Sequence, residues 1–365
     1  MILGAGIGGA SLAHALLQRA PRLKLALLEA ESRPGYHTTG RSAAFYAETY
    51  GGPGVQPLSS ASKAFLQRPP AGFCETPILS PRGALHICRA GQTLEALEAE
   101  FRQGGIACEH LHGEDILRKA PRLRAQWAEA AIWEPGCSDI DVAGLHQSYL
   151  RSARRAGADL VTDARAAAVA QRGDWRILTP AGEFRAGALV NAAGAWADEV
   201  AALAGVAPIG IEPLRRTILV AEVQPEAPTG LPLVIDSGGS LYFKPDAGRL
   251  WISPHDETPD VPRDVQPEEM DVAVALDRFE RMCDWPVRRI LSSWAGLRSF
   301  APDRLPVLGP DPEAPGFHWC AGQGGWGIQT APAASAGAAA MLLGEAPPAA
   351  YAGIDAAPYL PARFR

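Results

Sequence analysis

Met1-Ile2-Leu3-Gly4-Ala5-Gly6-Ile7-Gly8-Gly9 opens the chain, and the fold turns on how this stretch is read. Three apolar residues predict a buried strand. Gly4, Gly6 and Gly9 then satisfy GxGxxG, with Gly8 as a further small residue in the same turn. The first glycine of such a turn lets the chain reverse tightly, the second lets backbone approach a pyrophosphate, and the third lets the next helix sit close to the strand. Leu12, Ala13, Leu16 and Leu17 follow at helical spacing, and Leu23 to Leu28 read as a second buried strand ending at Glu29. A carboxylate at that strand end accepts hydrogen bonds from ribose hydroxyls and repels a 2′-phosphate. The helix N-terminus offers free amides and partial positive charge to phosphates. Three residues are few for the first strand. Either the strand is short, or the natural chain begins upstream and this sequence makes a poorly stable fold.

The remaining composition narrows the classes. A chain of 365 residues with 47% hydrophobic content has material for one large or two medium domains. Acidic residues number 40 and basic ones 34, for a net charge of −6, and no basic stripe marks a nucleic-acid surface. No apolar run reaches the roughly 18–20 residues of a membrane span. The Ala-rich run 334–343 reads as a packed helix. The N-terminus lacks the basic region and cleavage site of a signal peptide, so a cytoplasmic protein with at most peripheral membrane contact is expected. The six cysteines form no CxxC pair, which argues against a zinc site or disulfide framework. His110 and His112 are the one close histidine pair. They read as solvated loop residues, and no metal site is expected.

Helical patterns recur at 57–67, 91–103, 143–156, 196–204, 266–283 and 328–344. Strand patterns recur at 84–88, 159–162, 165–170, 174–179, 184–190, 214–223, 232–235, 241–244, 249–253, 290–300 and 317–321. Segment 165–190 reads as an antiparallel meander with turns at Arg172-Gly173-Asp174 and Pro180-Ala181-Gly182. This mixture predicts an α/β protein in which a Rossmann-like domain is interleaved with a domain built on an antiparallel sheet.

Further motifs point to a second half of a cofactor. His37-Thr38-Thr39-Gly40-Arg41-Ser42-Ala43-Ala44 combines hydroxyls, a glycine and an arginine, suited to a phosphate and a flavin edge or equally to an ordinary helix N-cap at Ser42. Ala188-Leu189-Val190-Asn191-Ala192-Ala193-Gly194-Ala195-Trp196 runs a buried strand into a small-residue turn. Gly322-Gln323-Gly324-Gly325-Trp326-Gly327-Ile328-Gln329-Thr330 is another glycine-rich loop opening a helix, whose dipole suits the anionic ring of a reduced flavin.

On these motifs the chain resembles the D-amino-acid oxidase-like superfamily of FAD-dependent amine oxidoreductases, the group of glycine and sarcosine oxidases. Within it, the motifs are most similar to those of bacterial D-arginine dehydrogenases. The likeness extends through Pro69-Pro70-Ala71-Gly72-Phe73-Cys74-Glu75, Asp139-Ile140-Asp141 with His146-Gln147, and Trp294-Ala295-Gly296-Leu297-Arg298-Ser299-Phe300. It implies a discontinuous FAD domain of glutathione-reductase type over 1–80, 138–207 and 296–365, and a substrate domain over 81–137 and 208–295. It implies FAD contacts at Gly4, Gly6, Gly8, Gly9, Glu29, Thr39, Gly40, Arg41, Ser42, Ala166, Ala193, Gly194, Trp196, Gly324, Gly325, Trp326, Gly327, Ile328, Gln329 and Thr330.

For the substrate, the resemblance makes Arg298 the carboxylate anchor, because a planar guanidinium binds a carboxylate in two places. Arg215 is its expected second, with Arg216 as fallback because adjacent strand residues face opposite sides. Tyr242 matches a carboxylate-binding tyrosine and Tyr50 a mobile one, while Gly325 and Gln329 are expected near the amine and the flavin. No strong base is expected. The sequence departs from D-arginine-selective relatives in three places: Gly83-Ala84-Leu85 after Ser80-Pro81-Arg82 lacks their carboxylate, Phe45 replaces a histidine and Trp326 a tyrosine. An unpaired guanidinium in a pocket is costly, so neutral or hydrophobic D-amino acids are expected. Glu48, the substitute carboxylate, is expected to face away. No cysteine lies in 291–303, so noncovalent FAD is expected, and no lysine lies in 248–251, so a quinone or other carrier is expected ahead of O2. Oxidation of glycine, sarcosine or another secondary amine, D-arginine dehydrogenation, and a silent flavin-binding subunit stay open at this point. A nicotinamide-only dehydrogenase fits the first motif alone.

Overall fold

Two large sheets organise the chain in the computed structural model, which describes residues 1–89, 91–349 and 351–365, and two three-stranded sheets accompany them, one of them the antiparallel meander Ala168–Arg172, Asp174–Thr179 and Gly182–Ala186. Ile2–Leu3 is a two-residue strand. It lies between Ala26–Leu28 and Leu189–Asn191 in a six-stranded sheet. The order is Val307–Pro310, Phe317–Ala321, Leu189–Asn191, Ile2–Leu3, Ala26–Leu28, Asp159–Val161, and only Val307–Pro310 runs antiparallel to its neighbour. Central strands of such a sheet carry apolar runs because helices cover them. Helix Ile7–Arg19 packs between helices Val142–Arg155 and Gly327–Leu343. Ala333, Ala334, Ala338 and Ala339 of the last are buried against Leu12 and Leu16, so the Ala-rich run is a packed helix whose small side chains permit a close approach.

The larger sheet runs, in order, through Gln323–Gly324, Val287–Phe300, Glu212–Val223, Arg249–Ser253, Tyr242–Asp246, Leu233–Asp236, Ala84–Cys88, Ala130–Glu134 and Glu109–His112. Leu233–Asp236 and Ala84–Cys88 are parallel and the other neighbours antiparallel. Its two faces differ by the two-residue period of a strand. Leu219, Ala221, Phe243, Leu250 and Ile252 meet Ala275, Phe279 and Met282 of helix Glu269–Met282 in one core. The opposite face, carrying Arg216, Ile218 and Tyr242, looks into a cleft.

Helix and strand positions read from the sequence fall within a few residues of those observed. Eight strands were not anticipated: Phe45–Tyr46, Leu79–Pro81, Glu109–His112, Ala130–Glu134, Ser138–Ile140, Thr258–Pro259, Val307–Pro310 and Gln323–Gly324. The expectation of a loop at His110 and His112 is corrected: both lie on the exposed edge strand Glu109–His112, too polar to signal a strand on its own. Among the described residues no helix is long and apolar enough to cross a membrane, and no cluster of metal-binding side chains occurs.

Candidate active site

One continuous cleft, about 1770 Å3 with its open mouth, runs from the first glycine-rich turn to the arginine-bearing face of the large sheet. At the first end, Gly4 holds φ +100°, and a Cβ there would strike the Ala192 carbonyl. A Cβ on Gly9 would be driven into the Gly4 carbonyl oxygen, which is the close helix-to-strand approach its position in the motif requires. Gly6 lies against the Thr39 hydroxyl, where a Cβ would come within 3.2 Å. The Ile7 amide donates to that hydroxyl at 3.0 Å, and the first bond within the helix runs from the Ala10 amide to the Gly6 carbonyl. The amide of Gly8, on the cleft wall, is therefore left for phosphates, whereas Gly9, expected to touch FAD, does not line the cleft and serves the helix-to-strand packing.

Glu29 is buried at the strand end and lines the cleft. Its two carboxylate oxygens accept from the amides of Ala5 and Glu31 at 2.9 and 3.0 Å. A carboxylate has about four acceptor positions, so capacity remains for a ribose. Thr39, Arg41, Ser42, Ala166, Ala193, Gly194, Trp196, Gly324, Gly325, Gly327 and Ile328 also line the cleft. Arg41 donates to the carbonyls of Val265 and Ala295 and pairs with Asp264. A glycine cradle, a free helix N-terminus and a ribose-accepting carboxylate make this a fit for an adenine dinucleotide. The cleft continues past the second glycine-rich loop with room for an attached ring.

The other end is set by strand register. Arg298 pairs opposite Leu214, and Arg216 opposite Gly296. Opposed residues share a face, so Arg216 and Arg298 are diagonal neighbours on the cleft side. Arg215 points the other way. Its guanidinium is buried among Asp260, Glu268 and Asp271, at 3.1, 2.6 and 3.1 Å, and does not reach the cleft. The expectation for Arg215 is thus corrected to Arg216 by the two-residue period. Tyr242 follows from the same register, through Ser253, onto the same face, and the Arg216 guanidinium stands 5.8 Å from its ring centre. The Tyr50 hydroxyl lies 3.3 Å from Arg298 Nη1. Phe45 and Tyr242 complete an aromatic wall with Tyr50. Arg216 Nη2 and Arg298 Nε are buried donors without a hydrogen-bond partner, which leaves this corner short of an anion. A Cβ on Gly325 would meet Tyr50 Oη at 2.7 Å and Arg298 Nη1 at 3.0 Å, so only a glycine lets that loop lie against the anchors.

Four other expectations move. The Gln329 side chain is buried and spent on structure: its oxygen accepts from the Ala47 amide, and its nitrogen donates to the Tyr50 carbonyl and the Ser59 hydroxyl. It fixes the segment that carries Tyr50 and does not line the cleft. Thr330 caps within its own helix on the Trp326 carbonyl. Trp326 packs on Tyr50 and Phe300 behind the cleft wall. Gly40 bonds back to Gly35 and faces solvent. Glu48 faces away, held by Ser60 and Lys63.

Several residues in the cleft or packed around it carried no signal in the sequence. Glu31 pairs with His37, which leans on Trp196, and Cys320 lines the flavin half. Burial pushes the Cys320 thiol up to about 12, so it is no nucleophile at neutral pH. Glu257 binds Arg298 at 2.5 Å from a loop of irregular spacing. His255, beside it, is pushed down to about 3 by burial and by Arg216 and Arg298, and is neutral. Lys244 is buried against Asp139 and the Ala44 carbonyl and does not line the cleft.

A parallel sheet with a glycine-rich dinucleotide turn, joined to an antiparallel sheet that presents paired arginines, defines a flavin-dependent oxidoreductase. The chain belongs to the DAO family, FAD dependent oxidoreductase, which it matches over residues 1–341. It is 26% identical to hydrogen cyanide synthase subunit HcnC of Pseudomonas aeruginosa, covering 100% of this chain and 96% of that one. Mouse dimethylglycine dehydrogenase is 25% identical over 90% of this chain and 40% of its own length. Among solved structures, glycine oxidase from Geobacillus kaustophilus superposes with a TM-score of 0.83 at 23% identity, covering 98% of this chain and 96% of that one.

Proposed function

We propose that the protein oxidises D-amino acids with neutral or hydrophobic side chains to imino acids, which water then converts to 2-oxo acids and ammonia. The observation that carries this reading is the pair Arg216 and Arg298, both facing the cleft beside Tyr50 and Tyr242, with unsatisfied donors and no carboxylate lining that end. The carboxylates that do line the cleft, Glu29, Glu31 and Glu199, belong to the segments around the first glycine-rich turn and helix Ala197–Leu203. Arg298 and Arg216 hold the substrate carboxylate, with the Tyr50 and Tyr242 hydroxyls beside it. Two guanidinia next to the amine also disfavour its ammonium form by like-charge repulsion, which supplies the neutral amine the oxidation needs. The cleft residues described above would hold FAD noncovalently, and the bound flavin would supply the acceptor for the Cα hydride. The C=N bond forms as that C–H bond breaks and the amine loses a proton. The chain's contribution is orientation of Cα and removal of water; no side chain is assigned as base.

The aromatic wall of Phe45, Tyr50 and Tyr242 supports an uncharged substrate side chain. The buried, paired Lys244 supports a quinone or other carrier as acceptor in preference to O2. Steady-state kinetics with a panel of D-amino acids tests the side-chain assignment. D-methionine, D-leucine and D-phenylalanine should exceed D-arginine and D-lysine in kcat/KM by about tenfold or more, since no carboxylate meets a cationic side chain. Dominance of D-arginine or D-lysine, or of glycine or sarcosine, would overturn it.

A further inference from the structure

Arg216 and Arg298 face one cleft on diagonal positions of a strand pair, and like charges so placed repel unless a counter-charge lies between them. The loop 254–260 supplies one from outside the cleft. One oxygen of Glu257, Oε1, lies 2.5 Å from Arg298 Nη2, 2.8 Å from Arg304 Nη2 and 3.5 Å from Arg216 Nη2. The other oxygen lies 3.0 Å from Arg304 Nη2. Glu257 does not line the cleft, and its side chain is 37% exposed, so it reaches the anchors from the solvent side. Arg298, by contrast, is buried, and its bond to Glu257 is charge-assisted, the stronger kind. Burial resists ionisation of Glu257, but Arg298 and Arg304 outweigh it and hold the carboxyl below its ordinary range. Asp256 accepts from the Thr217 amide and hydroxyl and stands 3.8 Å from Arg216 Nε. The corner thus holds three guanidinia against the carboxylates of Asp256 and Glu257. Arg304 is half exposed, so water shares its charge, while two buried donors make no hydrogen bond: Arg298 Nε, and Arg216 Nη2 with Glu257 only as an ion-pair neighbour at 3.5 Å.

We propose that Glu257 is the positioning residue of the carboxylate anchor: by bridging Arg298, Arg304 and Arg216 it fixes the two cleft-facing guanidinia at a spacing that receives one substrate carboxylate. The proposal rests on Arg216 and Arg298 being the anchors, as given above. It predicts that Glu257 favours substrate binding although it never touches substrate. A carboxylate in that place could instead compete with the substrate, and the two roles have opposite signs.

The test is a titration of the FAD-loaded protein with sodium acetate, a plain carboxylate that cannot be oxidised at an amine. It is followed by perturbation of the flavin absorption band, with KM and kcat measured in parallel. Glu257→Ala should weaken acetate by about tenfold or more and raise KM in proportion, because a charge-assisted bond to the anchor is lost. Its kcat and flavin content should stay close to the parent's, which a purely structural role would not spare, even if the loss of a counter-charge beside buried Arg298 lowers Tm. Glu257→Gln keeps an acceptor oxygen in place and should bind acetate within about threefold of the parent. It also serves as the deciding variant if Glu257→Ala fails to fold. Equal or tighter acetate binding by Glu257→Ala, or clearly tighter binding by Glu257→Gln, would overturn the proposal in favour of competition. A parent protein that binds no acetate would overturn it too, since there would be no carboxylate anchor to position. A parent that binds acetate in this Glu257-dependent way but is reduced by no amino acid would support the proposal and sink the assigned reaction.

Discussion

Arg298→Ala is expected to lower kcat/KM for the best D-amino acid about a thousandfold, and Arg216→Ala about a hundredfold. Arg215→Ala, one residue away, should leave kcat/KM within about threefold. The estimates follow from charge-assisted hydrogen bonds, each worth about 1.5–3 kcal/mol when one partner is ionised; Arg298 spends Nη2 on Glu257 but offers the unpartnered Nε and the loosely held Nη1, 3.3 Å from Tyr50. Arg216 already donates from Nε to the Asp256 carbonyl, so less of its capacity goes to a ligand. Arg215 has a different job. It is buried among three carboxylates, and removing it strands Asp271, while Asp260 keeps Arg263 and Glu268 faces solvent. The expected cost is about 3 kcal/mol of stability, seen as a Tm lower by roughly 5 °C. Steady-state kinetics and thermal melts on the three variants check the contrast. Equal loss of kcat/KM in Arg215→Ala and Arg216→Ala would show that the strand face has been misassigned.

The second large effect concerns the glycine turn. Alanine within a helix is normally more stable than glycine by about 0.5–1 kcal/mol. Gly9→Ala should reverse that sign and yield little soluble, flavin-bearing protein, because the new methyl would overlap the Gly4 carbonyl, which is backbone and cannot rotate away. Gly8→Ala, on the adjacent residue, meets only the end of the Gln323 side chain at 2.8 Å, with the Cys320 carbonyl and thiol at 3.5 Å. Gln323 can shift, so this variant should fold and keep flavin with an affinity lower by about tenfold or less. The ratio of flavin to protein absorbance after purification, with a melt, distinguishes them. Normal flavin content in Gly9→Ala would contradict the close helix packing.

The fold was legible where local pattern and global fold agree. GxGxxG, the helical spacing of Leu12 to Leu17 and the buried run to Leu28 all point to one unit, and that unit is observed. The anchors were half legible. Arg298 carries a motif, but choosing between Arg215 and Arg216 needed a register of Arg216 opposite Gly296 that no local signal supplies. Gln329 matched a motif yet points into the protein, because the amide of Ala47 and the hydroxyl of Ser59 claim its side chain. Glu257 was invisible for the reverse reason. Its partner lies 41 residues away, and its own loop has no period to betray which way it faces. Side-chain direction on strands follows from parity once register is known. On loops it follows only from tertiary packing.

An anaerobic spectrum of the purified protein, mixed in turn with D-amino acids, their L-enantiomers, glycine and sarcosine, tests the central claim most directly. The account predicts that the flavin band near about 450 nm is bleached by neutral and hydrophobic D-amino acids and not by their L-enantiomers. Bleaching by L-amino acids, bleaching by sarcosine or glycine alone, or a flavin band that no amine alters would contradict it.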